Sequence, residues 1–321
     1  FELIADMVTS PRLDADDLEL EKGVVCEEIA MYESNPADLC ADLFYLVAFP
    51  EHKLGKNVLG TRDSVNSMTP DMLRKHMDRF YSPASTVACF CGKFERDKII
   101  ALCKHYFSSP ANKGAIPVLP KADFCPGVNI FDKKTEQNQI VIGFSAPSLG
   151  SDSRFACQLI ASMLGGSASS RLFRRLREEQ GLVYSVDACA SSYLSAGVFA
   201  VSMGVSRESE KKAVLTAAEV LREFPDTVTE EELDLARDHY LSGLIMSLES
   251  NSARAARYGT GELLLGGAIS EKELEEKIRG VSIDEIRSLA RSFSSLSDAC
   301  ICAVGRTAGA KFYNKVVSGK K

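Results

Sequence analysis

Apolar residues recur every three or four positions along much of the chain, a spacing typical of amphipathic helices. Shorter apolar runs bounded by turn residues predict strands at 86–94, 138–145, 182–190, 197–205 and 299–305. Helices and strands mix without the regular alternation of a parallel sheet. We therefore predict an α+β fold, in which a largely antiparallel sheet is packed with helices.

This pattern occurs twice along the chain. Residues 68–93 and 281–306 align without a gap at a fixed offset (284 − 71 = 213), which pairs Gly92 with Gly305. Solenoid repeats have periods of only ~20–50 residues, so an offset this long indicates two duplicated domains, each with its own sheet and helices.

A stretch with three prolines, residues 110–120, separates the two copies. We predict that residues 1–109 belong to the first repeat, that 110–120 form a linker, and that 121–321 form the second repeat. The first repeat is the shorter one, and Phe1 lies in the middle of a predicted helix. We expect this repeat to be incomplete at its N-terminus.

The predicted helix over 16–34 carries two unusual carboxylates. On a helical wheel, Glu21 and Glu28 lie in the middle of an apolar arc, while Lys22 lies on the opposite side. A buried carboxylate without a partner costs several kcal/mol, so these two require a cation, a metal or a proton. Buried salt bridges and a functional site both satisfy that need. The equivalent positions of the second copy hold Arg237 and Leu244, which favours a functional site in one copy only.

Composition excludes several classes of protein. The net charge is −6, and no basic stripe marks a nucleic-acid surface. No apolar run approaches the ~18 residues that a membrane span needs. The ten cysteines include no C-x-x-C pair, which predicts reduced thiols in a cytoplasmic protein.

Several segments resemble the pitrilysin/insulinase/mitochondrial processing peptidase family of zinc metallopeptidases. The first is the 20–29 helix, Leu-Glu-Lys-Gly-Val-Val-Cys-Glu-Glu-Ile, and two more are the 52–61 loop and the 80–94 segment. The most specific is 164–186, with Leu-Gly-Gly followed by Leu-Arg-Glu-Glu-Gln-Gly-Leu-Val-Tyr-Ser-Val. Together these segments follow the family's order along nearly the whole chain.

The resemblance implies roles for four residues. Glu28 is implied to be the third protein ligand of a catalytic Zn²⁺, and Glu21 a carboxylate that orients the site. Arg177 and Tyr184 are implied to reach from the second repeat into the active site, where they bind substrate and stabilise the oxyanion. Two imidazoles and one carboxylate would leave an open zinc position for water.

One part of the family pattern is missing from the sequence. The inverted zinc motif, His-x-x-Glu-His, supplies two ligands and the general base. The four histidines of this chain (His52, His76, His105 and His239) lie singly, and none has a partner four residues on. We expect the motif upstream of Phe1, and we expect the 321-residue chain to be inactive alone.

The sequence therefore predicts part of a cytoplasmic zinc endopeptidase that cleaves peptides in a chamber between two halves. We expect a homodimer, or a heterodimer with a sister subunit, and neither nucleic acid nor membrane as a partner. Two alternatives use the same fold: a catalytically silent partner subunit, and a structural core subunit of a larger complex. The two carboxylates Glu21 and Glu28 favour the peptidase.

Overall fold

The computed structural model describes residues 1–107 and 119–319. Its helices are α1 Glu2–Thr9, α2 Ala15–Ser34, α3 Pro36–Ala48, α4 Arg62–Asn66, α5 Pro70–Phe80, α6 Arg96–Phe107, α7 Ser153–Gly165, α8 Glu210–Thr227, α9 Glu230–Ser247, α10 Asn251–Leu265, α11 Glu271–Gly280, α12 Ile283–Arg291 and α13 Ala310–Val317. Its strands are β1 Gly127–Phe131, β2 Asn138–Ala146, β3 Val183–Ser192, β4 Gly197–Val205 and β5 Cys300–Val304. No helix within the described ranges is long and apolar enough to span a membrane.

The helices and strands group into two compact units. Unit 1 contains Phe1–Ala30, Leu59–Val118 and Gly243–Glu271, and unit 2 contains Met31–Val58, Leu119–Ser242 and Lys272–Lys321. Both units draw on both predicted repeats. The boundaries of the repeats stay a prediction, and most of the predicted linker, residues 110–118, lies outside the described residues.

Unit 2 is built on one five-stranded sheet with the order β1-β5-β2-β4-β3. The β1–β5 pair is parallel, and the other three pairs are antiparallel. The predicted α+β class, with a largely antiparallel sheet and packed helices, is confirmed. Strand β1, which has only five residues, was not predicted from the sequence.

Helices cover both faces of this sheet. On one face, α3 packs so closely on β2 that a Cβ at Gly143 would overlap the ring of Phe44. On the other face, the rings of Phe144, Phe199 and Phe293 pack together, and Phe199 and Phe293 stack with their centroids 4.6 Å apart. Because both faces are covered, β5 is buried along its whole length.

Unit 1 consists of helices, and few of its side chains are buried. Ala5, Ile29, Val65 and Leu248 are its buried apolar residues among those that the structure describes. The prediction of a strand over 86–94 is wrong, because this segment is irregular and mostly exposed. A strand needs a hydrogen-bonded neighbour, and the described part of unit 1 contains no strand to provide one.

Candidate active site

Glu21 and Glu28 both lie on α2, and both side chains are exposed. The prediction that they point into the interior is therefore wrong for the described chain. Ile29 is the one fully buried residue of α2, and Leu20, in the same predicted apolar arc, is 74% exposed. Neither carboxylate has an ion-pair or hydrogen-bond partner within residues 1–107 and 119–319.

The inward face of α2 is rotated by roughly a quarter turn from the predicted one. It is centred on Val25 and Ile29, of which Ile29 is buried and Val25 half-buried. Lys22, expected in solvent, lies on the inward side with only 11% of its side chain exposed, and its ammonium binds Glu19 at 2.6 Å. Helix α2 therefore turns Glu21 and Glu28 outward, where they are accessible to a ligand.

The described residues do not make a zinc site by themselves. They contain no group of three His, Cys, Asp or Glu side chains placed to hold a metal. His52 is committed to its own loop, where Nδ1 accepts from the amide of Leu54 at 3.1 Å and Nε2 lies 3.2 Å from the carbonyl of Pro120. Catalytic zinc takes three protein ligands, and Glu28 could provide one.

Two irregular backbone features bring Arg177 and Tyr184 together in unit 2. Residues Phe173–Glu178 form a π-helical turn. Gly181 then takes a left-handed conformation with φ +57° and leads the chain into β3. Tyr184 lies at a bulge, since the register with β4 passes from Val183 directly to Ser185. π-turns and bulges are frequent at functional sites, where they re-aim side chains.

The two side chains form a compact group at this point. A guanidinium nitrogen of Arg177 donates a hydrogen bond to the backbone carbonyl of Tyr184. The guanidinium carbon lies 5.6 Å from the centre of the Tyr184 ring and 5.4 Å from that of Phe173. Tyr184 is 68% exposed, and its hydroxyl has no hydrogen-bond partner in the described part of the chain. The site therefore offers an accessible cation and an uncommitted hydroxyl donor.

Sequence reasoning missed Phe173. Its ring lies beside the guanidinium of Arg177 and limits where that group can move. The signal that could have revealed it is the four-residue spacing from Arg177, which places two side chains of a helical segment side by side.

Arg171 anchors the segment that carries Arg177. Its guanidinium donates to both carboxylate oxygens of Glu232, at 2.7 and 2.6 Å, and to the carbonyl of Thr227 at 2.9 Å. Burial alone would raise the pKa of Glu232, but hydrogen bonds from Arg171 and from Thr229 outweigh burial, and the pKa is lowered. Arg171 is thus a structural residue that ties this segment to Glu232 and Thr227.

Comparisons with known proteins assign the chain to a protein family. The profile described as Peptidase M16 inactive domain matches residues 67–240. A protein of Mycobacterium bovis named an uncharacterized zinc protease is 33% identical over 300 residues, covering 92% of this chain and 68% of the relative. Another of that name from Bacillus subtilis is 33% identical over 291 residues, covering 90% and 71%. The chain belongs to the M16 peptidase family, as the predicted resemblance implied.

Solved structures show the same fold. The peptidase M16 inactive domain from Pseudomonas fluorescens has a TM-score of 0.83 at 18% identity and covers 96% of this chain and 74% of its own. A chain of complex III2 from Candida albicans, with Inz-5 bound, has a TM-score of 0.84 at 17% identity and covers 98% and 79%. At these identities the likeness establishes the fold alone.

Proposed function

We propose that this chain is part of a zinc-dependent endopeptidase that acts in the cytoplasm, in which Arg177 and Tyr184 bind the peptide substrate. The observation that carries the proposal is their arrangement: an exposed guanidinium lies beside a phenol that has no hydrogen-bond partner among the described residues, and a π-turn and a bulge hold the two together. The relatives named zinc proteases support the reaction class.

The two side chains suit the transition state of peptide hydrolysis. Attack on the scissile carbonyl places negative charge on its oxygen, and donors aimed at that oxygen lower the barrier. The Tyr184 hydroxyl can donate this hydrogen bond because no described residue competes for it. Arg177 can hold a carbonyl or carboxylate of the peptide while Phe173 steadies its guanidinium.

For the first repeat we propose that Glu28 is one zinc ligand of the complete protein and that Glu21 orients the site. Their outward position on α2 is compatible with these roles, since an exposed carboxylate can share a metal ion with ligands from another part of the protein. We further propose that the protein works as a homodimer, or as a heterodimer with a sister subunit, and encloses the peptide between two halves.

The structural core subunit is the rival that an observation favours. The likeness to a complex III2 chain is as close in fold as the likeness to the peptidase domain. Sequence favours the peptidase, since the relatives at 33% identity are named zinc proteases. Chelator-sensitive cleavage of a peptide library by the complete protein, restored by Zn²⁺, would support the peptidase. Absence of any cleavage would support a silent or structural subunit.

Two substitutions in the complete protein test the assigned roles. Tyr184→Phe should lower kcat by ~10²–10³ with full zinc content and little change in KM, because one oxyanion donor is lost. Tyr258→Phe, at another partly exposed tyrosine, is the control. An unchanged kcat in Tyr184→Phe would remove Tyr184 from the mechanism.

Glu28→Gln should strongly reduce both zinc content and turnover. Glu27→Gln, at the exposed neighbouring position, is the matched control and should leave both unchanged. Glu21→Gln should retain more zinc and lose ~10–100-fold in activity, the range typical of residues that orient ligands. Normal metal content and turnover in Glu28→Gln would show that Glu28 is not a ligand.

A further inference from the structure

Unit 2 contains a groove of about 730 Å³ on the surface away from its core. One wall is a face of α8, with Leu215, Glu219 and Arg222, and the other is a face of α13, with Phe312 and Lys315. The loop Ser294–Ser297 closes one side. Its size lies within the ~300–1,000 Å³ range of small-molecule sites.

The apolar residues of the groove are not part of the protein core. Helix α8 buries its opposite face, where Val214, Ala217 and Leu221 pack inside unit 2. Leu215 lies on the outer face and remains 48% exposed. From α13, Phe312 and Val316 add partly buried apolar surface to the same groove. The groove therefore offers apolar surface that folding alone does not use.

A buried hydrogen-bond network fixes the two walls relative to each other. Glu210, the first residue of α8, is fully buried, and its carboxylate accepts from the hydroxyl of Tyr313 at 2.5 Å. The same carboxylate accepts from the side-chain amide of Asn138 at 2.8 Å and from the amide of Ala308 at 2.9 Å. Burial, together with the neighbouring Glu210, raises the pKa of Tyr313. The groove is thus pre-formed, which lowers the entropic cost of binding.

The charges of the groove favour an anion. Arg222 and Lys315 line it, and the charged group of neither side chain forms an ion pair or hydrogen bond with a residue in the described ranges. Among the described lining residues Glu219 is the one carboxylate, so the charges of these three side chains sum to one positive. An apolar groove with two uncommitted cations matches a ligand that has an anionic head and an apolar tail.

We propose that this groove binds a small anionic amphiphile, with its carboxylate at Arg222 and Lys315 and its alkyl chain along Leu215, Phe312 and Val316. The site shares no residue with the Arg177–Tyr184 site. It therefore stands whether or not the chain belongs to an active peptidase.

Isothermal titration calorimetry with dodecanoate, below its micellar concentration, tests the proposal on the full chain. We expect one site per chain and an affinity at least ~10-fold above that for dodecyltrimethylammonium, which has the same tail and the opposite charge. The double variant Arg222→Gln/Lys315→Gln should lose ~10-fold or more in dodecanoate affinity. Lys311→Gln, on α13 but outside the groove, is the matched control. Leu215→Gln should weaken the binding of both ligands, because both have the same apolar tail. Circular dichroism verifies that each variant folds.

Three results would overturn the proposal. The first is dodecanoate affinity that is unchanged in the double variant. The second is equal affinity for the anionic and cationic amphiphiles, which would show unspecific binding to apolar surface. The third is a concentration-dependent dimer that Leu215→Gln disrupts and dodecanoate does not, since a second copy of the chain would then occupy the groove.

Discussion

The two copies of the repeated segment, 68–93 and 281–306, share their helix cap, turn and glycine conformation, but only the second copy contains a strand in the described structure. Thr69 caps α5 by accepting from the amide of Met72, at 3.3 Å, and Ser282 at the equivalent position caps α12 by accepting from Glu285, at 3.2 Å. A short 3₁₀ turn follows in each copy, at Pro83–Ser85 and Leu296–Asp298. Gly92 and Gly305 then adopt nearly the same positive φ, +139° and +135°.

Between the turn and the glycine the copies differ. In the second copy, β5 pairs with β1 and β2 and is buried, whereas the first copy leaves the same stretch irregular and mostly exposed. Caps, turns and glycine conformations depend on residues close in sequence, so both copies retain them. A strand depends on partners distant in sequence, and only the second copy has them within the described residues.

The glycine pair should give the largest contrast. Gly305→Ala combines an unfavourable φ with overlap between its Cβ and the side-chain oxygen of Asn138, so we expect a loss of more than about 3 kcal/mol in unfolding free energy. At Gly92 the nearest atom to an added Cβ is 3.8 Å away, and Gly92→Ala should lose about 1–2 kcal/mol from backbone strain. Urea unfolding followed by circular dichroism measures both. Equal losses would show that packing at Gly305 contributes little.

Glu21 and Arg237 occupy equivalent helix positions in the two copies. Substitutions at these positions should separate effects on activity from effects on stability. Arg237 is mostly buried and donates to the carbonyl of Val281, so Arg237→Met should cost about 1–3 kcal/mol by leaving that carbonyl unpaired. Glu21→Gln should change stability by less than ~0.5 kcal/mol, since Glu21 is exposed. Thermal unfolding of the two variants checks this. Comparable losses would mean that Glu21 also has a structural role.

The caps should show equivalence between the copies. Thr69→Ala and Ser282→Ala each remove one side-chain acceptor from a helix N-terminus, and each should cost about 1 kcal/mol. The amide and the hydroxyl of Ser282 also donate to the Glu285 carboxylate, at 2.7 and 3.0 Å. The hydroxyl bond is lost with the side chain, so the loss at Ser282 should be the larger. Chemical denaturation compares the two midpoints. A negligible loss at Ser282 would show that water replaces this cap.

The smallest expected effect is on how the stability of unit 2 depends on pH. Because Arg171 and Thr229 lower the pKa of Glu232 in the folded chain, its stabilising effect is present above the unfolded-state pKa and disappears as pH falls through the folded-state pKa. Glu232→Gln should therefore make the acid side of the stability–pH profile shallower. Glu231→Gln, at an exposed neighbour, is the control and should leave the profile unchanged. Identical profiles for Glu232→Gln and the unaltered chain would contradict the shift.

Most helices and the second copy's main strands could be predicted because their signals are local. Thr69-Pro70 and Ser282 mark helix starts by capping, and the apolar run of β2 is flanked by turn residues. The strand at 86–94 could not be judged from the sequence, because its composition suits a strand and its pairing depends on residues far away. The sequence says nothing of which edge of α2 meets the rest of unit 1, and so the burial of Glu21 and Glu28 was predicted wrongly.

The residues of the candidate substrate site were predicted, but the backbone geometry that holds them was not. Family resemblance pointed to Arg177 and Tyr184, and the structure places them side by side. The π-turn at Phe173–Glu178 was unpredictable, since its residues suit an ordinary helix equally well. Within this turn Leu176 is fully buried in unit 2, and Gly181 follows it with a positive φ.

The position of β5 between β1 and β2 constrains how the protein can fold during its synthesis. β1 is complete at Phe131, but its sheet neighbour is β5, which ends at Val304. A nascent chain therefore leaves β1 without its partner until almost the whole of unit 2 has emerged from the ribosome. Contacts this distant in sequence slow folding and prolong the exposure of unpaired edges. Chaperone dependence should accordingly be greatest late in translation, and early termination before β5 should yield an insoluble product.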